Sequence, residues 1–175
     1  MNLTAQARVA MNQLATKYDM RFIAAPTGRE ASRASLANST TELRLEFEAR
    51  EGLVYASLHR LDRGSIAPIR DMTERLRDPL NGFDAADLVK LRNPSIYASQ
   101  EVNCDPSPSA MRGVLKRLAQ SLEQTADDVL RGDFGIFEAL TRIVIGRIAA
   151  ERQRGAPLGP DAVAILSAAR DARIS

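Results

Sequence analysis

Residues 41–61 read TELRLEFEAREGLVYASLHRL, and this stretch decides the fold. Leu43, Leu45 and Phe47 alternate with Glu42, Arg44, Glu46 and Glu48, the period of two that marks a half-buried strand. Glu51-Gly52 then offers a two-residue loop in which glycine takes a positive φ at low cost. With that loop Arg50 pairs with Leu53, so Ala49 faces Val54, Phe47 faces Ala56 and Leu45 faces Leu58, all on one apolar face. The other face carries Glu48 with Tyr55, Glu46 with Ser57 and Arg44 with His59. A slip of one residue would mix the two faces, so the pattern resists it. The expected fold class is α+β: an antiparallel meander of three to four strands, dry on one face and largely wet on the other, with helices over the dry face.

The flanks supply those elements. Before the hairpin, Leu3, Ala7, Met11, Leu14 and Tyr18 recur at helical spacing and predict a helix over 2–17. A short strand over 20–25 ends at Pro26-Thr27-Gly28, and 32–37 reads as either a second strand or a helix, with Asn38-Ser39-Thr40 turning into the hairpin. After it, 66–83 is rich in Pro, Asp, Arg and Gly and reads as an irregular connection. Asp84 caps a helix to about Leu91, and Ser107-Pro108 opens a long helix running to Arg131. Gly132 ends that helix, and Asp133 caps the next, whose apolar face is Ile136, Phe137, Leu140, Ile143, Val144 and Ile148. So short a break predicts a C-terminal αα-hairpin. Residues 155–159 break the chain again before a terminal helix over 161–172. The domain reading is a single α+β domain over 1–155 and a C-terminal extension over 156–175.

Composition narrows the function. No apolar run approaches the roughly 18 residues a membrane span needs, and the N-terminus lacks the apolar core of a signal peptide. Cys104 is the single cysteine, which rules out an internal disulfide and suits a reducing cytosol. The net charge is +2, and all of the 24 basic residues except Lys17, Lys90 and Lys116 are arginine. That excess reads as the codon usage of a GC-rich bacterial genome, because acids nearly balance it and no run of bases occurs.

Catalytic signatures are missing. Glycine-rich phosphate loops and the nucleophile elbow do not occur. His59 and Cys104, the lone histidine and lone cysteine, cannot make a common zinc site. Asp105 beside Cys104 would oppose a thiolate nucleophile, and His59 reads as a surface residue on the polar strand face. Glu46 and Glu48 read as solvated acids on the same face. The expectation is a protein without a metal or cofactor and without catalysis.

One feature stands out. Glu123, Asp127 and Asp128 sit towards the end of the expected long helix and Asp133 just beyond it, where acids oppose the helix macrodipole. Glu123 and Asp127 also repel at i, i+4. Either Arg142 on the next helix compensates them, or the four acids form a surface for a basic partner.

The Arg50-Glu51-Gly52 turn, the Asp84-x-x-Asp-Leu-Val stretch and the Leu-Arg-Gly-Asp-Phe break at 130–134 resemble features of small bacterial proteins over residues 18–150. Some of those proteins are encoded beside secreted toxins and resemble immunity proteins. The resemblance implies a non-catalytic, cytoplasmic protein-binding module that neutralises a toxin by direct binding, with a basic toxin domain as its partner and no membrane association. The alternative is a nucleic-acid-associated accessory protein using Arg29, Arg33, Arg70, Arg75, Arg77, Arg142, Arg147, Arg152 and Arg154. A third class is an enzyme built on carboxylates.

Overall fold

The computed structural model describes residues 3–23, 31–48, 50, 52–61, 79–98 and 107–174. Five strands form one antiparallel meander in the order β1-β2-β3-β4-β5: β1 (Arg21–Ile23), β2 (Ala31–Ala37), β3 (Thr41–Glu48), β4 (Leu53–Arg60) and β5 (Gly82–Asp84). The described helices are α1 (Leu3–Ala10), α2 (Asn12–Lys17), α3 (Ala85–Arg92), α4 (Pro94–Ala98), α5 (Pro108–Thr125), α6 (Asp127–Leu130), α7 (Phe137–Gln153) and α8 (Pro160–Asp171). The chain is thus α+β, as the alternating stretch implies.

The β3–β4 register differs by two residues from the expected one. Phe47 pairs with Val54, Leu45 with Ala56 and Leu43 with Leu58. A shift of two leaves every side chain on its own face, so Leu43, Leu45, Phe47 and Leu58 are buried as the pattern requires. The strands are joined by residues 49–52 rather than by Glu51-Gly52 alone. Both residues of a two-residue type I′ loop need positive φ, Glu51 included, and a Cβ resists that. In the longer loop Gly52 comes last, with φ 67°, and its N–H bonds the Glu48 carbonyl at 2.9 Å.

The second sheet face is not wet throughout. Ser35, Glu42 and His59 are all buried on it. His59 faces Glu42 across the strands instead of Arg44, and it is 2% exposed rather than a surface residue. Ser35 Oγ donates to Glu42 Oε1 at 2.5 Å, and Ser57 Oγ lies 2.8 Å from His59 Nε2. Strand β5 closes this end. It falls partly inside the stretch expected to be irregular, and Gly82 pairs with His59. A Cβ at Gly82 would overlap the His59 imidazole, so only glycine lets the two strands approach here.

The other face meets the helices. Leu3, Ala7, Met11, Leu14 and Tyr18 are all buried, as their spacing predicts. The helix is bent at Met11, where the i→i−4 bonds Met11 N–H to Ala7 and Ala15 N–H to Met11 persist. α1 packs on α5 and β2, and α3 packs on α5 and β4. Asp84 caps α3 through the Ala86 N–H at 2.8 Å, and Ser107 caps α5 ahead of Pro108. Phe83 of β5 meets Phe137 of α7 edge to face.

The connection after α5 departs from the expected hairpin. The long helix stops at Thr125, and a separate turn, α6, precedes a Schellman cap in which Gly132 has φ 92° and Asp133 N–H bonds the Asp128 carbonyl at 2.9 Å. α7 begins only at Phe137. The expected Glu123–Arg142 pair is absent: Glu123 lies 3.9 Å from Lys17, while Arg142 pairs with Glu138 on its own helix.

A single carboxamide ties the layers together. Asn38 Oδ1 accepts the N–H groups of Thr40 and Thr41 at 2.9 and 2.8 Å, closing the β2–β3 turn. Its Nδ2 donates to the Tyr18 carbonyl at 3.1 Å and to the Leu130 carbonyl at 3.0 Å. Two donors aimed at the oxygen and two carbonyls aimed at the nitrogen fix the amide orientation.

Two stability predictions follow from this packing. Phe47→Ala should lose about 3–5 kcal/mol in chemical denaturation; a loss below about 1 kcal/mol would place the core elsewhere. Asn38→Asp keeps the acceptor but strands two carbonyls and sets a carboxylate against them. It should lose about 2–4 kcal/mol at neutral pH, more than Asn38→Ser, which removes the clash of charge.

Candidate functional site

The four acids singled out by sequence lie close together, each with a partner. Asp127 Oδ1 accepts the Tyr18 hydroxyl at 2.8 Å, and its Oδ2 accepts Arg131 Nε at 3.0 Å. Lys17 Nζ stands 3.9 Å from Glu123 and 4.0 Å from Asp127. Arg92, at the end of α3, grips both oxygens of Asp128 and also donates to the Thr125 carbonyl at 2.6 Å. Asp133 Oδ1 accepts the Gly135 N–H at 3.0 Å. Because the helix breaks at Ala126, Asp127 and Asp128 open α6 instead of closing α5. For these two the unfavourable dipole does not arise, while Glu123 keeps its place in the last turn of α5 beside Lys17, and the acids latch α2, α3, α5 and α6 together.

The electrostatics agree. The Arg92 fork holds the Asp128 carboxyl below its ordinary value, and Arg131, then Tyr18, does the same for Asp127. Burial, then the bond to Asp127, pushes the Tyr18 hydroxyl up. The Tyr18 ring also carries Lys17 Nζ and the Arg131 guanidinium at 5.1 and 5.3 Å from its centroid.

Of the arginines set aside for a nucleic-acid role, four of the five described ones are committed. Arg33 pairs with Glu46, Arg142 with Glu138 and Arg147 with Asp87, and Arg154 Nε donates to the Ala150 carbonyl. Arg152 borders a cavity between α7 and α8. Arg29, Arg70, Arg75 and Arg77 lie outside the described residues, as does Cys104. Among the described residues no group of three or more His, Cys, Asp or Glu could hold a metal ion, and no described helix is long and apolar enough to cross a membrane.

Ser57 and His59 are a pairing that sequence reading missed. They are two residues apart on β4, so they share a face, and their contact has the length of a nucleophile–base bond. A nucleophile also needs an open side for its substrate. His59 is buried, and the described cavities lie elsewhere, so the pair reads as a polar contact inside the sheet.

The feature best formed for binding is a groove at the edge of β4. β5 pairs with β4 only from His59↔Gly82 to Ser57↔Asp84, and the chain then turns into α3. Residues 53–56 of β4 keep β3 on one side and have no β5 partner on the other. The direction of the backbone groups follows from the ends of the ladder. Arg60 N–H reaches the Asn81 carbonyl on the β5 side, and Leu61 N–H reaches the Thr40 carbonyl on the β3 side. By alternation, Val54 N–H and C=O and Ala56 N–H point towards the missing strand. A cavity of about 250 Å³ opens there between β4, the first turn of α3, and Val114, Arg117 and Leu118 of α5. Val54 and Ala56 border it together with Leu53 and Tyr55, which belong to the opposite sheet face. Residues of both parities line a cavity only when it abuts the strand's edge. Leu118 of α5 is only partly buried and forms its wall.

Comparison with models of known protein families, with curated proteins and with solved structures finds no match.

The pH dependence of the acid latch has a definite sign. A carboxyl whose folded pKa is depressed contributes stability that is fully present above its unfolded value, about 3.9, and is lost as pH falls through the folded value. Asp128→Asn should therefore cost at most about 1 kcal/mol at neutral pH, and its unfolding free energy should fall less steeply than wild type below about pH 4. Denaturant titrations at several pH values measure both; equal acid slopes would show that the Arg92 fork stores no stability.

Proposed function

We propose that this chain is a non-catalytic protein-binding module, and that it acts in the cytoplasm as an immunity-type protein that neutralises a toxin by direct binding. The observation that carries this reading is the groove at the β4 edge: an apolar cavity bordered by backbone groups, whose one lining carboxylate, Asp84, is committed to capping α3. Its volume of about 250 Å³ is below the roughly 300–1,000 Å³ typical of substrate and cofactor pockets. Such a cavity suits an anchoring side chain better than a small molecule. The pairing of Glu123, Asp127 and Asp128 with Lys17, Arg92 and Arg131 moves the expected interface away from the acids and towards this groove.

Affinity purification of the full chain from its native host, followed by titration of the purified partner in a calorimeter, tests the reading. The expected result is a stoichiometric complex that suppresses the partner's toxic activity. Recovery of nucleic acid instead, with affinity that falls steeply as salt is raised, would replace this reading with the accessory-protein one.

A further inference from the structure

We propose that the β4 edge captures an extended polypeptide segment by strand addition, and that the segment carries one large apolar side chain and a carboxylate. This rests on the binding-module reading and names the kind of ligand it takes.

Three observations converge on that ligand. The first is the edge of β4 at Val54 and Ala56, which have no strand partner past the end of β5 among the described residues. Val54 and Ala56 present backbone groups outward past the end of β5, and an extended chain laid there would continue the meander as a further strand, with main-chain bonds supplying affinity. The second is the cavity beside the edge. In a strand, alternate side chains project to the same side, so an added strand would direct one side chain down between Val114 and Leu118 while its neighbours point to solvent. The walls are apolar and the volume, about 250 Å³, admits a leucine, methionine or phenylalanine with room to spare. A burial of that kind anchors a peptide and sets its register.

The third observation is charge. Two charged residues border the cavity, Asp84 and Arg117. Asp84 is committed to capping α3 through the Ala86 N–H. Arg117 is exposed, and its guanidinium makes no ion pair or hydrogen bond to any described residue; its Nη1 lies beside Gly113, where even an added Cβ would stand at 3.6 Å. Arg21, Arg152 and Arg173 are likewise without an ion pair among the described residues; what sets Arg117 apart is its place on the rim of this apolar cavity. Its fork matches a carboxylate in a bidentate fashion. The ligand is therefore acidic next to its apolar anchor, through an Asp or Glu side chain or through its own C-terminus.

The test uses the purified full chain and a displayed library of short linear peptides. Selection should enrich peptides in which one large apolar residue sits near an Asp, a Glu or a free C-terminus. A fluorescein-labelled peptide from that pool, titrated by polarisation, should lose about tenfold or more in affinity on Arg117→Glu, and replacing its carboxylate by lysine should restore binding to that variant. Amidating a C-terminal carboxylate separates the two acidic sources: loss of binding assigns the terminus, and retention assigns the side chain. N-methylation distinguishes strand addition from a simple apolar anchor without altering the protein. Methylating the amide that faces β4 should abolish binding, and methylating the next amide should leave it nearly unchanged.

Peptides that tolerate N-methylation at every position, or acidic peptides that bind Arg117→Glu as tightly as wild type, would overturn the proposal. So would failure to enrich any peptide. A concentration-dependent dimer in sedimentation that Ala56→Pro dissolves would assign the edge to a second copy of this chain instead. If a protein partner binds wild type and Arg117→Glu equally while no peptide binds, the module reading stands and the groove is not its site.

Discussion

The Asn38 carboxamide is the constraint on which the arrangement depends. It closes the β2–β3 turn with its oxygen and holds the ends of α2 and α6 with its nitrogen. Thr41 adds a bond from its hydroxyl to the Val129 carbonyl at 2.7 Å. Helix C-termini carry carbonyls without intrahelical partners, and here a sheet turn supplies the missing donors to the end of α6. Gly132 fits against Thr40 at the same point, where a Cβ would strike the threonine hydroxyl at 2.7 Å. With the end of α6 fixed there, its first residues, Asp127 and Asp128, are presented to Tyr18, Arg131 and Arg92. The acid latch is a consequence of the turn.

How much of this was legible follows from what a pattern can encode. A period of two reports the face of a side chain and is blind to a register shift of two, so Leu45 and Phe47 were placed on the correct face while their partners were each moved by one pair. His59 was misplaced for a related reason. Its polar neighbours suggest solvent, but Ser35 bonds Glu42 and Ser57 bonds the imidazole, and polar groups paired in this way can be buried. Helix caps were readable because the side chain that caps is adjacent in sequence to what it caps, as at Asp84 and Ser107.

The acids and the groove were harder for opposite reasons. Glu123, Asp127 and Asp128 were visible, but their partners Lys17 and Arg92 are distant in the chain, and the helix break at Ala126 has no glycine or proline to announce it. The groove had no local signal at all. It exists because Gly82-Phe83-Asp84 is too short to cover β4 and because Asp84 turns the chain into α3 at once. Arg117 looks ordinary in sequence; its place on the rim of the cavity gives it meaning.

An open strand edge is a liability, and proteins usually blunt one with charge, proline or a bulge. Residues 53–56, Leu-Val-Tyr-Ala, carry none of these, and Tyr55 is 42% exposed. Extending β5 by a few residues would have covered them. Instead α3 and α5 wall the edge on one side, with a cavity of about 250 Å³ beside it. A cation at the rim adds a selection by charge. Backbone groups of Val54 and Ala56 without a strand partner among the described residues, next to an apolar cavity, are the arrangement that strand addition requires.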